Sequence, residues 1–221
     1  MTKQQRAIRT RGELIRAAAT LFEQCGFAQT TLGDISRHIG VSSGALHFHF
    51  ENKAALASAI EAEASSVLHC LARRARARQT DALQELVDAS HALAADLRDN
   101  VVIRAGFRLS GDASRQGGLR LLEQWQAYVR QLLADAEAEK SLAPDVPLRD
   151  AVSVVVAATT GLGALSRGDL GWLSRRSVTG LWSVLLPRLV DAAVLDRLDP
   201  AGVGVVCSPM SAALAPSGLA N

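Results

Sequence analysis

Apolar side chains recur at helical spacing along most of the chain. Ile8, Leu14, Ile15, Ala18, Leu21 and Phe22 mark a first helix over 6–25, closed by Gly26 in the left-handed conformation, after which Phe27 packs back. Thr31 and Asp34 have the spacing of a capping box, so a short helix should cover 32–39 and stop at Gly40. Val41 is an apolar plug, and Ser42 can cap a second short helix over 43–50. Asn52 then caps a long helix over 53–77, with Leu56, Ala59, Ile60, Val67, Leu68 and Leu71 along one side. Leu83, Leu86, Val87, Leu93 and Leu97 predict a helix over 81–97, and Asp99 and Asn100 break it and cap another over 101–109. The GDASRQGG stretch at 111–118 combines glycines with polar residues and reads as a loop. Leu122, Trp125, Val129, Leu132 and Leu133 should face inward from a helix over 119–139. Pro144 and Pro147 separate it from an apolar segment at 148–165, expected to be a buried helix whose small residues let another helix approach closely. A last helix over 177–195 carries Pro187, which should kink or split it. The fold class is all-α: a three-helix helix-turn-helix domain at 1–52, a helical domain at 53–199, and an uncharged tail at 200–221 expected to be poorly ordered.

The two short helices about Gly40 match the helix-turn-helix plan, whose second helix enters the DNA major groove N-terminus first. Ser43, Gly44 and Ala45 on its leading turn are small enough for the backbone to come close to a duplex. Ile35, Ile39, Val41, Leu46 and Phe50 supply the apolar seam. A surface helical hairpin with no ligand has the same periodicity.

Composition narrows the choice. A hydrophobic content of 48% with only 4% aromatic residues favours helices over strands. The net charge of +2 implies no partner by itself, but its placement does: Lys3, Arg6, Arg9, Arg11 and Arg16 stand against Glu13 alone near the N-terminus. Cations ahead of a helix-turn-helix can neutralise phosphates; a solvated tail is the plainer reading. A second arginine cluster, LARRARAR at 71–78, sits where a helix C-terminus favours cations. Cys25, Cys70 and Cys207 are odd in number and far apart, which fits a reducing compartment and implies neither a disulfide framework nor a zinc site. No apolar stretch follows the basic N-terminus, and the run at 151–165 is shorter than the roughly 20 residues that cross a bilayer. A cytoplasmic protein with no membrane partner is expected.

The segment also resembles the DNA-binding domain of the TetR family of bacterial repressors. Their pattern is F-x-x-x-G-F/Y-x-x-S/T-S/T, a helix, then G-V-S/T-x-G-x-L-Y/H-x-H-F-x-N/S-K. It is met here by Phe22, Gly26, Phe27, Thr30, Thr31, Gly40, Val41, Ser42, Gly44, Leu46, His47, His49, Phe50, Asn52 and Lys53. LHFHF, followed by RAGFRLS at 104–110 and by Trp125, is similar to the γ-butyrolactone receptor branch of that family. The resemblance implies a homodimer on double-stranded operator DNA, with the last two long helices meeting their copies. It assigns Thr31, Ser42, Ser43, Gly44, Ala45, His47, His49 and Lys53 to the DNA-binding set, joined by Arg6 and Arg9 from the basic N-terminus. Lys53 and His49 would touch the DNA backbone, and His47 stands where the family usually has Tyr. Many butyrolactone receptors carry Lys where Ser43 stands, so operator shape would count for more here. The resemblance further implies a pocket for a small hydrophobic effector, with Trp125 as its floor and Phe107, Val155, Thr159, Thr160 and Trp182 around it. Ala64 and Gly161 stand where the receptors carry polar residues that can hydrogen-bond a lactone, which points to a related sensor of a different small molecule, such as an antibiotic, a butenolide or a furan. A buried tryptophan in an ordinary core is the alternative for Trp125.

No other chemistry competes. His47 and His49 are two apart, hence about 200° around a helix, and cannot share a metal there. The Gly-x-Gly at 161–163 lacks the third glycine of a dinucleotide loop, Ser166 standing in its place. No nucleophile motif is present, so no catalytic residue, metal or cofactor is expected. A constitutive architectural DNA binder and, behind it, a small-molecule enzyme are the other readings.

Overall fold

The computed structural model describes residues 2–77, 81–112, 118 and 120–203, with backbone alone for residues 3 and 74–77. Among them are ten α-helices and one isolated β-bridge. The helices are α1 (Lys3–Cys25), α2 (Leu32–Ile39), α3 (Ser43–His49), α4 (Lys53–Ala77), α5 (Ala82–Asp99), α6 (Val101–Ser110), α7 (Leu121–Ala138), α8 (Leu148–Leu165), α9 (Arg175–Leu189) and α10 (Ala192–Leu195). Two compact units divide the chain, one of Met1–Ser65 with Leu97–Trp125 and one of Ser66–Asp96 with Gln126–Asn221. The side chains of the arginine cluster from Arg74 on, most of the loop at 111–118, and the tail beyond Val203 lie outside the described residues.

In the first unit α1 begins earlier than its periodicity predicts. Thr2 and Gln5 form a capping box, so the basic N-terminus is helical and Arg6 and Arg9 lie one turn apart on it. Ile8, expected inward, is exposed, because the buried stripe of α1 starts only at Leu14. That stripe packs with Ile35, Leu46, Phe50, Leu56, Ile60, Val102, Ala105 and Leu109 in one core. The RAGFRLS stretch forms α6 and closes this core. A Cβ on Gly106 would lie 2.5 Å from the Ala64 Cβ and 3.2 Å from the Ile60 carbonyl oxygen, so α6 and α4 meet almost backbone to backbone. Ala64, where the receptors that the chain resembles carry a polar residue, is fully buried at this contact. The Arg104 guanidinium donates to Glu23 Oε2 (3.2 Å) and to the carbonyls of Leu97 (2.6 Å) and Arg98 (2.9 Å). Arg108 donates to the Glu23 carbonyl. Both arginines thus fasten α6 to the end of α1.

In the second unit α5 buries polar residues as well as Leu83, Leu86 and Val87. Gln84, Asp88 and His91 lie on one side of it and hold the backbone beyond α10. Gln84 accepts from Asp199 N (2.8 Å) and donates to Asp199 O (3.2 Å), while Asp88 accepts from Val203 N (2.8 Å). His91 Nε2 meets the Pro200 carbonyl at 2.9 Å, and Arg175 of α9 donates to the Gly202 carbonyl at 2.7 Å. Burial holds the His91 imidazole below its ordinary value, with Arg175 adding to the effect, so the neutral, Nε2–H form suits this bond. Apolar periodicity alone could not show this strap, since polar side chains build it.

Three expectations change here. Leu122 is exposed and Leu121 is the buried leucine, because Leu121 lies one turn before Trp125 and Val129 on the buried stripe of α7. Pro187 stays inside α9, and the break falls at Val190, whose extended backbone pairs with Leu142 before α10 starts. The third concerns α8, whose fully buried residues are Ala151, Val152 and Val155 near its start, the rest being partly covered or exposed. Nothing approaches within 4 Å of a Cβ at Gly161 or Gly163, and Val154 and Leu165 face solvent, as does Val184 of α9. By length and a mean hydropathy of 1.4, α8 alone among the described helices would suffice to cross a membrane.

A chain ending at Leu198 should lose the strap and strand the buried polar groups of α5. At about 1 kcal/mol for each of three or more bonds, we expect it to melt roughly 5–10 °C below a chain ending after Val203. Calorimetry of the two truncations checks this.

Candidate nucleic-acid interface

Local hydrogen bonds set the geometry of α2 and α3. Thr31 Oγ1 accepts from Asp34 N (3.1 Å), and the Asp34 carboxylate accepts from Thr31 N (2.9 Å) and from the Thr31 hydroxyl (2.6 Å). These bonds, with Arg37 behind them, hold the Asp34 carboxyl below its ordinary range. Thr31 is exposed but its side chain is committed to the cap. Gly40 takes φ +69°, the left-handed turn that a side chain would strain, and Val41 N donates to Ser36 O at 3.1 Å. Ser42 Oγ then accepts from Ala45 N at 3.2 Å and starts α3. Leu46 and Phe50 are buried in the core, one turn apart, and the Arg11 guanidinium lies 5.1 Å from the centre of the Phe50 ring.

This anchoring turns the opposite side of α3 to solvent. Ser42, Ser43, Gly44 and His47 are exposed, Ala45 and His49 half-buried, and the space beside Gly44 is open. Phe48, which the sequence reading did not single out, is 80% exposed with its ring edge-on to His49 at 5.1 Å. Arg6 is exposed, and Arg9 pairs with Glu13 at 2.8 Å on the same solvated face of α1. An open cleft of about 440 Å³ lies between the end of α1 and α2, lined by Cys25, Gln29, Arg37 and His38 among others.

Lys53 has a different position from the one the resemblance implies. Its ammonium donates to the carbonyls of Phe27 (2.8 Å), Ala28 (3.4 Å) and Thr30 (2.9 Å) and lies 4.4 Å from the centre of the Phe27 ring. An ammonium has three protons, and three carbonyls meet them here. Lys53 therefore ties the first turn of α4 to the loop between α1 and α2, and its charge is not turned outward to a phosphate. Spacing could not reveal this, because the carbonyls lie more than twenty residues away in sequence.

The residues expected around an effector divide between the units. Phe107 is half-buried and Trp125 buried in the first; Val155 and Trp182 are buried in the second. The hydroxyls of Thr159 and Thr160 donate to the carbonyls of Val155 (2.8 Å) and Val156 (2.6 Å), so their protons are already used. The Trp182 indole Nε1 is buried without a hydrogen-bond partner. Among the described residues no group of His, Cys, Asp and Glu is placed to hold a metal.

A tri-helical unit that buries one side of a short second helix and exposes small residues on the other defines a helix-turn-helix DNA-binding protein. Residues 14–60 match the model of the bacterial regulatory proteins of the tetR family. The chain is 30% identical over 203 residues to the A-factor receptor protein of Streptomyces griseus, covering 91% of this chain and 71% of that one. It superposes on a crystal structure of a γ-butyrolactone receptor (ArpA-like protein) with a TM-score of 0.79 at 28% identity, covering 89% of this chain and 96% of that one. The CprB protein of Streptomyces coelicolor, solved with its operator sequence, gives a TM-score of 0.75 at 28% identity over 87% of this chain and 94% of that one. The chain belongs to the TetR family of transcriptional regulators, whose members are DNA-binding regulators rather than enzymes, and it resembles the γ-butyrolactone receptors among them.

Lys53→Met should remove three charge-assisted hydrogen bonds inside the first unit. We expect a loss of about 2 kcal/mol, read as a fall of roughly 4–8 °C in melting temperature. An unchanged melting point would return Lys53 to the pool of residues free to meet DNA.

Proposed function

We propose that this chain is a ligand-responsive repressor that binds a pseudo-palindromic operator as a homodimer and is released by a small hydrophobic molecule. The observation that carries the reading is the outward face of α3, small at its leading turn and backed by a fully packed core. In a symmetric dimer two such helices would stand about 34 Å apart, one helical turn of DNA, or a multiple of it. Residues 1–52 then act as the DNA-binding part and 53–199 as the effector-binding and dimerisation part. Ser42, Ser43, Gly44, Ala45 and His47 would lie at the groove, with Arg6, Arg9 and His49 toward phosphates.

The apolar side chains left exposed on α8 and α9 support the dimer. A helix as apolar as α8 that is so little covered by its own chain needs another apolar surface. Pairing of α8 and α9 with their copies supplies it, as the family's dimeric habit implies, and accounts for the hydropathy of α8 without a membrane. Operation on chromosomal DNA places the protein in the cytoplasm.

The effector reading rests on chemistry rather than on a ligand. The buried indole N–H of Trp182, without a partner in its own unit, suits an acceptor oxygen such as that of a lactone, butenolide or furan. Thr159 and Thr160, their protons committed to the helix, can only accept. To change occupancy from mostly bound to mostly free, the effector must favour one conformation by several kcal/mol.

Gel-shift binding to the DNA upstream of the chain's own gene, with and without organic extracts of the producing organism, tests the reading. Retardation relieved by an extract supports it; retardation that no extract relieves supports a constitutive architectural binder instead. Val184→Glu, placing a charge on the exposed face of α9, should give monomers in light scattering and weaken operator binding by at least tenfold. A dimer of unchanged affinity would contradict the assigned interface.

A further inference from the structure

Phe48 is the most exposed large hydrophobic side chain among the described residues, at 80%. It stands at the centre of the face that α3 presents. At 100° per residue it lies about 200° from Leu46, the core anchor, and about 40° from Gly44, one turn along the same outward line. The ring is not loose on that face, since His49 meets it nearly at right angles (83°). The other groups there are Ser43, Gly44, Ala45 and His47. None is an Arg, Lys, Asn or Gln, the side chains that read bases through paired hydrogen bonds. A phosphate or sugar edge offers a benzyl ring little, and among major-groove edges the apolar feature is the C5-methyl group of thymine.

We infer that Phe48 is a specificity-determining residue that reads the C5-methyl group of a thymine at one position of each operator half-site. The inference rests on the DNA-binding reading above and adds to it a named base contact. It makes recognition by this chain depend on a methyl group where a charged or amide reader would depend on hydrogen bonds. The symmetric positions in the two half-sites should show the same dependence.

The test uses the full-length protein and duplexes selected with it from a random pool of thirty base pairs. Each thymine of a selected duplex is replaced singly by deoxyuridine, which removes the methyl group and keeps the pairing. Loss of one methyl contact corresponds to about 3- to 5-fold in affinity per half-site. The inference expects that loss at one symmetry-related pair of thymines for the wild-type protein and none at those positions for Phe48→Ala. Phe48→Leu, which keeps an apolar side chain, should retain part of it. Because the ring is exposed, both variants should melt like the wild type. Equal deoxyuridine sensitivity in wild type and Phe48→Ala overturns the inference, as does a Phe48→Ala that weakens selected and random duplexes alike, which would place the ring on the sugar-phosphate backbone. If no duplex is selected at all, the DNA-binding reading fails and this inference with it.

Discussion

Burial of Leu46 and Phe50 decides which face of α3 is free. These side chains, one turn apart, sink into a core made by α1, α2, α4 and α6. Replacing such a buried leucine by alanine costs about 2–5 kcal/mol, a large share of the stability of a domain this size. With that side fixed, Gly44 and Phe48 must point outward and His47 and His49 must flank them. The capping bonds of Thr31, Asp34 and Ser42 and the left-handed turn at Gly40 then set the approach of α2 to α3.

The first unit is braced at two further places, and both use charge against backbone carbonyls. Lys53 holds the loop before α2 to the start of α4, and Arg104, through the Glu23 carboxylate, and Arg108, through the Glu23 carbonyl, hold α6 to the end of α1. Gly106 brings α6 against α4 at Ala64. Under the proposed function this matters for release. A unit braced in this way would move as one body, and the spacing between two recognition helices would change with its shift. A loosely packed unit would absorb the same shift locally.

Local features were legible in the sequence and distant ones were not. The Thr31–Asp34 capping box, the Gly40 turn, the Asn52 cap and the bounds of α2, α4 and α8 follow from neighbouring residues, and these features fall where they were expected. Ile8 and Leu122 misled because a leucine or isoleucine near a helix start satisfies the period without being covered. Lys53 and the strap on α5 depend on carbonyls far along the chain, and no spacing rule reports them. The burial expected of α8 followed from its apolar composition, which does not say whether its own chain or a second copy covers the helix. The exposure of Phe48 follows from the direction in which Leu46 and Phe50 anchor α3, which the composition of the LHFHF stretch does not state.

Hydroxyl-radical footprinting of a selected duplex tests the central claim most directly, that two copies of α3 enter successive grooves on one side of the helix. The account predicts two symmetric protected patches whose centres lie about ten base pairs apart, or a multiple of that. A single unsymmetric patch, or protection that ignores sequence, would contradict it.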